Sequence, residues 1–339
     1  MAEAMVSRHY AGHPGLIESA GGRARTRSLQ EATSCLDNLA ESLDVGHPLL
    51  FADFLAWTRV TLAGRDVAVE ELLGDLAYLS DTLRHTLAPA PAAVAVAYVT
   101  QGSAHLTLVP ATPPTCIQDD QPFGALAKAY LAALLVGDRQ LASRSVLGAV
   151  DAGVSIEDVY LHVFQPCQYE VGRLWQMKTI SVAQEHYCTA ATQLIMSQLY
   201  PRLFGSARVG RTMVATCVAG DLHEIGVRMV ADLLELDGWD TVYLGANTPI
   251  ADILDAVRER KADLLAVSAT IVPHLKEVAV LIEQLHATPE GRAVTTLVGG
   301  YPFNVVPGLW QQMGADGCAH DAAGSVALAN RLMLARRRP

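Results

Sequence analysis

The sequence Gly220-Asp221-Leu222-His223-Glu224-Ile225-Gly226 places a histidine and a carboxylate close together, directly after the apolar run Met213–Val218. An imidazole nitrogen is a frequent metal ligand. A carboxylate two residues away can accept a hydrogen bond from the other ring nitrogen, which fixes the tautomer and raises the basicity of the ligand. Gly226 leaves room for a bulky group beside the backbone. These residues predict a metal or cofactor site centred on His223.

Taken alone, Asp221 and His223 also fit a plainer interpretation, an aspartate that caps a helix beside an exposed histidine. Their companions favour the site. Ser268 and Thr270 follow a later strand-like run, and the pair Gly299-Gly300 follows another. A glycine pair lets an aromatic base lie against the backbone, and a serine offers a hydroxyl deep in a pocket.

The elements that position these residues follow from the hydrophobic period after Val209. Helical stretches of about a dozen residues alternate with apolar strand-like runs, which predicts a parallel sheet with helices on both faces. The carboxyl ends of such strands are where open α/β sheets bind ligands. We therefore predict an α/β flavodoxin-like (Rossmann-like) domain over residues 209–339. The predicted strands are Met213–Val218, Thr241–Leu244, Leu264–Val267 and Thr295–Val298.

The rest of the chain is predicted to be helical. Residues 121–205 show four helical stretches, which fit a four-helix bundle, and Ser181 with Gln184 forms a capping-box signature for its last helix. Residues 28–110 are predicted as an N-terminal helical domain, and residues 1–27 as a flexible tail.

Within the N-terminal domain, Ser28 and Glu31 form a second capping-box signature. Pro48 suits the first turn of a helix that Gly64 would end. Residues 89–120 are rich in proline and alanine at both ends, which predicts a linker with a short helix near Ala92–Val99.

The composition of the chain argues against several classes of protein. The chain has 339 residues and a formal net charge of −10, which argues against a nucleic-acid binder. Its 6 cysteines form no C-x-x-C pair, so reduced, intracellular thiols are expected. No stretch has the length and character of a signal peptide or a membrane span. We expect a cytoplasmic protein that contacts neither DNA nor membrane.

The motif Asp221-x-His223-x-x-Gly226 resembles the D-x-H-x-x-G signature of base-off, His-on cobalamin-binding domains. The resemblance covers residues 209–339 and implies that His223 is the lower axial ligand to cobalt. It also implies a slot for the nucleotide tail of the cofactor. The residues that would line this slot are Ser268, Thr270, Gly299 and Gly300, and further cofactor contacts are expected from Tyr243 and Gly245.

The bundle carries a second resemblance. Trp175 and the pair Glu185-His186, with Val182 just before them, are similar to the cap of B12-dependent photoreceptors. This implies that the three residues enclose the 5′-deoxyadenosyl group of adenosylcobalamin. Without the downstream domain, Trp175 would be an ordinary bundle aromatic and Glu185 a first-turn carboxylate.

One position departs from the photoreceptor pattern, because Gln176 stands where well-known members have a histidine that ligates cobalt after photolysis. His186, His162 or water would then be the upper ligand. His162 fits an ordinary bundle histidine equally well.

The N-terminal domain is acidic, with ten acidic residues against three arginines over residues 28–88, unlike the DNA-binding domain of photoreceptor repressors. Its layout and the segment Pro48–Trp57 resemble photocobilins, which hold biliverdin as a second chromophore. A plain helical dimerisation domain is the alternative.

The sequence is compatible with three functions. The first is a light sensor that is not an enzyme and works as a homo-oligomer (dimer or tetramer, light-dependent) with an unknown effector protein. The second is a corrinoid protein that carries methyl groups for a methyltransferase; such carriers often have Lys-Asn after the motif glycine, where Val227-Arg228 stands here. The third is a mutase subunit, but the substrate-binding barrel that a mutase requires is absent from this chain. We expect the light sensor.

Overall fold

A computed structural model describes the backbone of residues 1–3, 5–7 and 14–336. Two compact units divide it: residues 1–113 with 176–178, and residues 114–175 with 179–339. Among the helices in the described part of the chain, none combines the length and the apolar character needed to span a membrane.

In the residues that the structure describes, the first unit contains four long helices. Its core is aliphatic and aromatic, and includes Phe51, Leu55, Leu79 and Val99. The helices are α1 (Pro14–Val45), α2 (Pro48–Ala63), α3 (Val69–Thr86) and α4 (Pro89–Leu106).

Two sequence predictions for this unit are confirmed and three are wrong. Pro48 stands in the first turn of α2 and Gly64 is its C-cap. Ser28 lies inside α1, so it does not begin a helix, and residues 14–27 of the predicted tail are helical. Part of the remaining tail, residues 1–13, lies outside the described residues. Much of the predicted linker, residues 89–106, is helix α4, because its prolines occupy the first turn, where no hydrogen bond from their nitrogen is needed, and alanine favours helix.

The second unit begins with the helical bundle. A π-helical turn, Tyr160–Phe164, joins α7 to α8 in one continuous helical segment. Helix α9 begins at the capping box of Ser181 and Gln184, as predicted. The helices are α5 (Gly124–Leu135), α6 (Arg139–Asp151), α7 (Ile156–Val159), α8 (Gln165–Gln176) and α9 (Val182–Leu199).

After a 3₁₀ turn, Tyr200–Gly205, the unit continues as a five-stranded parallel sheet of order β2-β1-β3-β4-β5. This confirms the predicted α/β, Rossmann-like fold and its four strands, and adds a short fifth. The strands are β1 (Thr212–Val218), β2 (Asp240–Thr248), β3 (Leu264–Ser268), β4 (Thr295–Gly299) and β5 (Gly317–Cys318). The helices are α10 (Ile225–Leu236), α11 (Ile250–Arg260), α12 (Leu275–His286), α13 (Pro289–Ala293), α14 (Tyr301–Val305), α15 (Leu309–Gln312) and α16 (Ala322–Arg336).

Helix α10 connects the sheet to the bundle. One of its faces packs on the core side chains of β1. Another contributes Met229 and Leu233 to the hydrophobic core of the bundle. The hydroxyl of Tyr160, in the π-helical turn, donates a hydrogen bond to Asp232 Oδ2 at 2.7 Å. Helix α10 therefore contributes to the hydrophobic cores of both the bundle and the sheet domain.

The buried carboxyl of Asp232 makes this contact pH-dependent. Burial raises its pKa to about 6, against the hydrogen bond from Tyr160 and the charge of Arg228, which lower it. Between pH 3.8 and about 6, the folded protein therefore keeps a proton on Asp232 that the unfolded chain, with the ordinary carboxyl pKa of 3.8, has already lost. As the pH rises through this window, the free energy of unfolding falls.

We therefore expect Asp232→Asn to raise the free energy of unfolding relative to the parent at pH 7.5 by up to about 3 kcal/mol, and much less at pH 4. Asparagine still offers Tyr160 an acceptor but carries no buried charge. Urea unfolding of both proteins at the two pH values measures the difference. An equal effect at both values would show that the carboxyl titrates normally.

Candidate functional site

The loop after β1 is held by an asparagine from β2. The N–H of Gly220 donates to Asn247 Oδ1 at 2.7 Å, and the N–H of Asn247 donates to the carbonyl oxygen of Asp221 at 2.9 Å. Asn247 has a φ of +54°, a conformation that asparagine tolerates better than most residues. These two bonds fix the backbone that carries Asp221 and His223.

The carboxylate of Asp221 is fully buried and accepts three hydrogen bonds. Its Oδ1 accepts from the backbone N–H of His223 at 2.9 Å and from His223 Nδ1 at 2.8 Å. Its Oδ2 accepts from the backbone N–H of Thr270 at 2.6 Å. Burial alone would raise its pKa, but the bonds from His223 and Thr270 lower it to about 2. Asp221 is therefore an anion that both orients His223 and joins the loop to the end of β3.

His223 presents its imidazole outward from this anchor, with 61% of the side chain exposed. The hydrogen bond to Asp221 raises the pKa of His223, burial lowers it, and the charges of Asp221 and of Glu185 raise it further. With the ring proton on Nδ1, held by Asp221, the lone pair of Nε2 is free to bind a metal.

The sequence predicts a slot for the nucleotide tail at the carboxyl ends of the central strands. Cys217, Ser268 and Gly299 are register partners across β1, β3 and β4, and Ser268 is buried. A Cβ atom at Gly299 would meet no atom within 4 Å, so open space adjoins this backbone. At Gly300, by contrast, φ is +111° and a Cβ would collide with the carbonyl oxygen of Ala269. The predicted roles of the glycine pair thus differ: one borders space, the other allows β3 and β4 to approach.

Apolar side chains at the same edge of the sheet lie open to solvent. Leu222, next to His223, is 72% exposed, and Ile271 and Tyr301, which follow β3 and β4, are also exposed. Uncovered apolar side chains around a histidine with a free nitrogen fit a large, partly apolar ligand that brings its own metal. A cobalt corrinoid has this chemistry, with an axial position for imidazole and a tail for the slot.

The predicted cap residues are on the bundle. Glu185 Oε2 pairs with His186 Nδ1 at 2.6 Å, and its Oε1 accepts from the hydroxyl of Thr189 at 3.0 Å. Val182 and Trp175 are both partly exposed. The charge of Glu185 is one of the causes that raise the pKa of His223.

Gln176, at the position where photoreceptors have a ligating histidine, and His162 both contact other residues. Gln176 donates through Nε2 to the carbonyl oxygen of Trp57, inside the first unit. His162 lies 3.9 Å from Asp158 and stacks against Phe123, with ring centroids 6.1 Å apart.

Other site residues carry no signal in the sequence. Tyr243 and Gly245, expected as cofactor contacts, adjoin the carboxylate of Glu224; the hydroxyl of Tyr243 donates to Glu224 Oε2 at 2.6 Å. His274 Nδ1 lies 3.6 Å from Asp221 Oδ2, is buried, and makes no hydrogen bond in the described part of the chain. Glu224 occupies an unspecified position of the motif and His274 lies outside it; the fold brings His274 to Asp221 and Tyr243 to Glu224.

Comparison with known families agrees with this chemistry. Residues 211–329 match a family model described as a B12 binding domain, and residues 126–200 match a second B12 binding domain model. This chain carries B12-binding domains. The predicted binding of cobalamin is thereby confirmed.

Relatives extend the similarity over both domains. Trimethylamine corrinoid protein 2 of Methanosarcina acetivorans is 26% identical over 193 residues, which cover 56% of this chain and 88% of the relative. Dimethylamine corrinoid protein 3 of the same organism is 32% identical over 118 residues, 34% of this chain and 54% of the relative. The structure of the monomethylamine corrinoid protein of Methanosarcina barkeri superposes with a TM-score of 0.55 at 23% identity, over 62% of this chain and all of that one, and shows a shared fold.

These relatives correct the expected function. The prediction of a light sensor is wrong, since the similar proteins are corrinoid proteins named for methylamines, the alternative weighed on the sequence. Neither a photoreceptor nor a biliverdin protein is among the matches given above. The prediction that the chain is not an enzyme by itself, or else a corrinoid subunit, is confirmed by the same relatives.

Proposed function

We propose that this chain is a corrinoid protein that carries a methyl group on cobalt for a methylamine methyltransferase. One observation carries the proposal: the buried Asp221 directs His223 outward at the ligand-binding edge of a sheet whose B12-binding match is continued in the bundle. When bound, the corrinoid supplies a cobalt atom that accepts a methyl group and gives it up again.

The residues of the sheet domain bind and orient the cofactor from below. Asp221 accepts a hydrogen bond from Nδ1 of His223, so that Nε2 would hold the cobalt. Ser268 and the open space at Gly299 receive the nucleotide tail. Thr270 contributes through its backbone N–H, which holds Asp221, and Gly226 leaves the first turn of α10 without a side chain.

The bundle covers the upper face, and in this proposal its contact residues are Trp175, Val182, Glu185 and His186. The aromatic and aliphatic side chains would exclude water from a reactive methyl group, and Glu185 pairs with His186 at the start of α9. The cap would enclose a methyl group on the upper face, in place of the adenosyl group expected from the sequence. The cap is assigned to residues 121–205 and the cofactor domain to 209–339. The homo-oligomer stays a prediction.

The test is a labelling experiment. The full chain is loaded with hydroxocobalamin, reduced, and incubated with a trimethylamine methyltransferase and ¹⁴C-methyl trimethylamine. We expect label to remain on the protein after gel filtration in the dark, close to one methyl group per bound cobalamin. Illumination should release it, because light breaks a cobalt–carbon bond.

The matched control is the same protein loaded with cobinamide, which keeps the corrin ring and lacks the nucleotide tail. Poorer retention of the corrinoid by this control supports the slot at Gly299. Retained cobalamin that takes up no label from mono-, di- or trimethylamine, each with its methyltransferase, would contradict the proposed function while leaving cofactor binding intact.

A further inference from the structure

Glu224, the residue after His223, has both carboxylate oxygens engaged by different elements. Its Oε1 accepts a hydrogen bond from Gln193 Nε2 at 2.6 Å. Its Oε2 accepts one from the hydroxyl of Tyr243 at 2.6 Å. Gln193 belongs to helix α9 of the bundle and Tyr243 to strand β2. One side chain therefore ties the loop that carries His223 to both.

The backbone around Glu224 accommodates this position. Gly245 in β2 has a φ of +87°, and a Cβ there would lie 3.2 Å from Glu224 Oε2. Glu224 is also the N-cap residue of α10, and its carbonyl oxygen accepts the N–H of Arg228 at 3.0 Å. The glutamate is thus fixed at the backbone by α10 and at the side chain by two further elements.

A second contact seats α9 against α10 one turn further on. Arg228 donates through Nη1 to the carbonyl oxygen of Gln193 at 3.3 Å and through Nη2 to the hydroxyl of Ser197 at 2.9 Å. Helix α9 begins at Val182 and carries Glu185 in its first turn, so in the proposed function it lies over the upper face of the cofactor. The middle of this helix is bonded to Glu224, the residue next to His223. Because Arg228 seats α9 on its own, loss of the Gln193–Glu224 bond would not by itself detach the bundle.

We propose that Glu224 is a positioning residue that couples the seating of the cap helix to the coordination of cobalt by His223. With Gln193 in place, Glu224 holds the loop so that His223 points at the cofactor; with His223 bound, the loop favours the seated cap. Such coupling is reciprocal, because each contact stabilises the same arrangement. The proposal deepens the carrier function proposed above, since a methyl carrier must alternately cover and present its upper face.

A merely structural role for the bond is the alternative, and α9 offers a matched control. Gln198, five residues after Gln193 on the same helix, accepts a hydrogen bond from the hydroxyl of Ser143 at 2.6 Å, entirely within the bundle. Gln198→Ala removes one side-chain hydrogen bond of α9, as Gln193→Ala does, without touching Glu224. General loosening of the bundle would affect both variants alike.

The experiment measures the lower ligand in the full chain loaded with methylcobalamin. We expect Gln193→Ala and Glu224→Ala each to increase the ratio of water-bound to histidine-bound cofactor by roughly three- to tenfold, the range of one hydrogen bond. The double variant should shift no further than Glu224→Ala alone. Glu224→Gln, which keeps an acceptor for Gln193 and a polar partner for Tyr243, should restore most of the parent spectrum, and Gln198→Ala should match the parent.

A readout without cofactor accompanies it. In the apoprotein, hydrogen exchange at the amide of His223, which donates to Asp221, should be faster in Gln193→Ala than in the parent or in Gln198→Ala. An unchanged spectrum and unchanged exchange in Gln193→Ala, or equal effects in Gln198→Ala, would overturn the coupling. Failure of methyl uptake by the parent protein would instead count against the carrier function, whichever way these variants behave.

Discussion

His223→Ala should bind cobalamin at least tenfold more weakly and give the spectrum of a cofactor with water as its lower ligand. The expectation follows from geometry, because His223 is the group at the sheet edge whose free ring nitrogen Asp221 directs outward. Loss of a residue that only orients a metal ligand typically lowers metal affinity 10- to 100-fold. Loss of the ligand itself should therefore lower the affinity at least about tenfold. Equilibrium dialysis with hydroxocobalamin, followed by absorption spectra, measures both effects.

His186→Ala is the control for this variant. His186 is an exposed histidine on the bundle, paired with Glu185, and the proposal places it on the upper face. Its replacement should leave the lower ligand in place. If the spectrum of His223→Ala equals that of the parent, another group coordinates cobalt, and the role given to Asp221 fails with it.

Gly300→Ala should destabilise the protein by about 3 kcal/mol, the second large effect we expect. A methyl group there would strike the carbonyl oxygen of Ala269, and φ is +111°, a region that side chains rarely adopt. The collision involves backbone, so no side chain can turn away to relieve it. Thermal or urea unfolding of the apoprotein measures the loss.

Its neighbour provides the matched comparison. Gly299→Ala adds the same methyl group where no atom lies within 4 Å. This variant should fold with nearly the stability of the parent yet bind cobalamin more weakly, because the methyl group enters the space assigned to the nucleotide tail. Normal cobalamin binding by Gly299→Ala would show that the nucleotide tail does not occupy the space beside Gly299. Equal stability of the two variants would remove the distinction between them.

The local part of the site could be predicted from the sequence. Asp221 and His223 are two residues apart, so their hydrogen bond follows from spacing and the preceding strand alone. The bond from Thr270 to Asp221 uses a backbone N–H, which every residue but proline offers, so residue type could not reveal it. His274, which follows β3, and Asn247, which lies in β2, reach the loop only because both strands are parallel neighbours of β1.

Helix boundaries and function were less predictable. Proline and alanine suggested a linker where α4 runs from Pro89, since the same residues that occur in linkers also begin helices. The spacing of Trp175 and Glu185 suggested an adenosyl cap and hence a light sensor. These residues lie in a bundle within residues 126–200, a region that matches a B12 binding domain model in its own right, so their presence does not by itself specify a light response.

The most direct test of the central claim is an electron paramagnetic resonance spectrum of the full chain loaded with cobalamin and reduced to the Co(II) state. The protein is prepared once with ordinary histidine and once with ¹⁵N-histidine. If His223 is the lower ligand, the nitrogen splitting of the cobalt signal changes from a triplet to a doublet on labelling, and the splitting is lost in His223→Ala. A triplet that is unaffected by the label would mean that the nitrogen comes from the cofactor's own base, and would contradict the account.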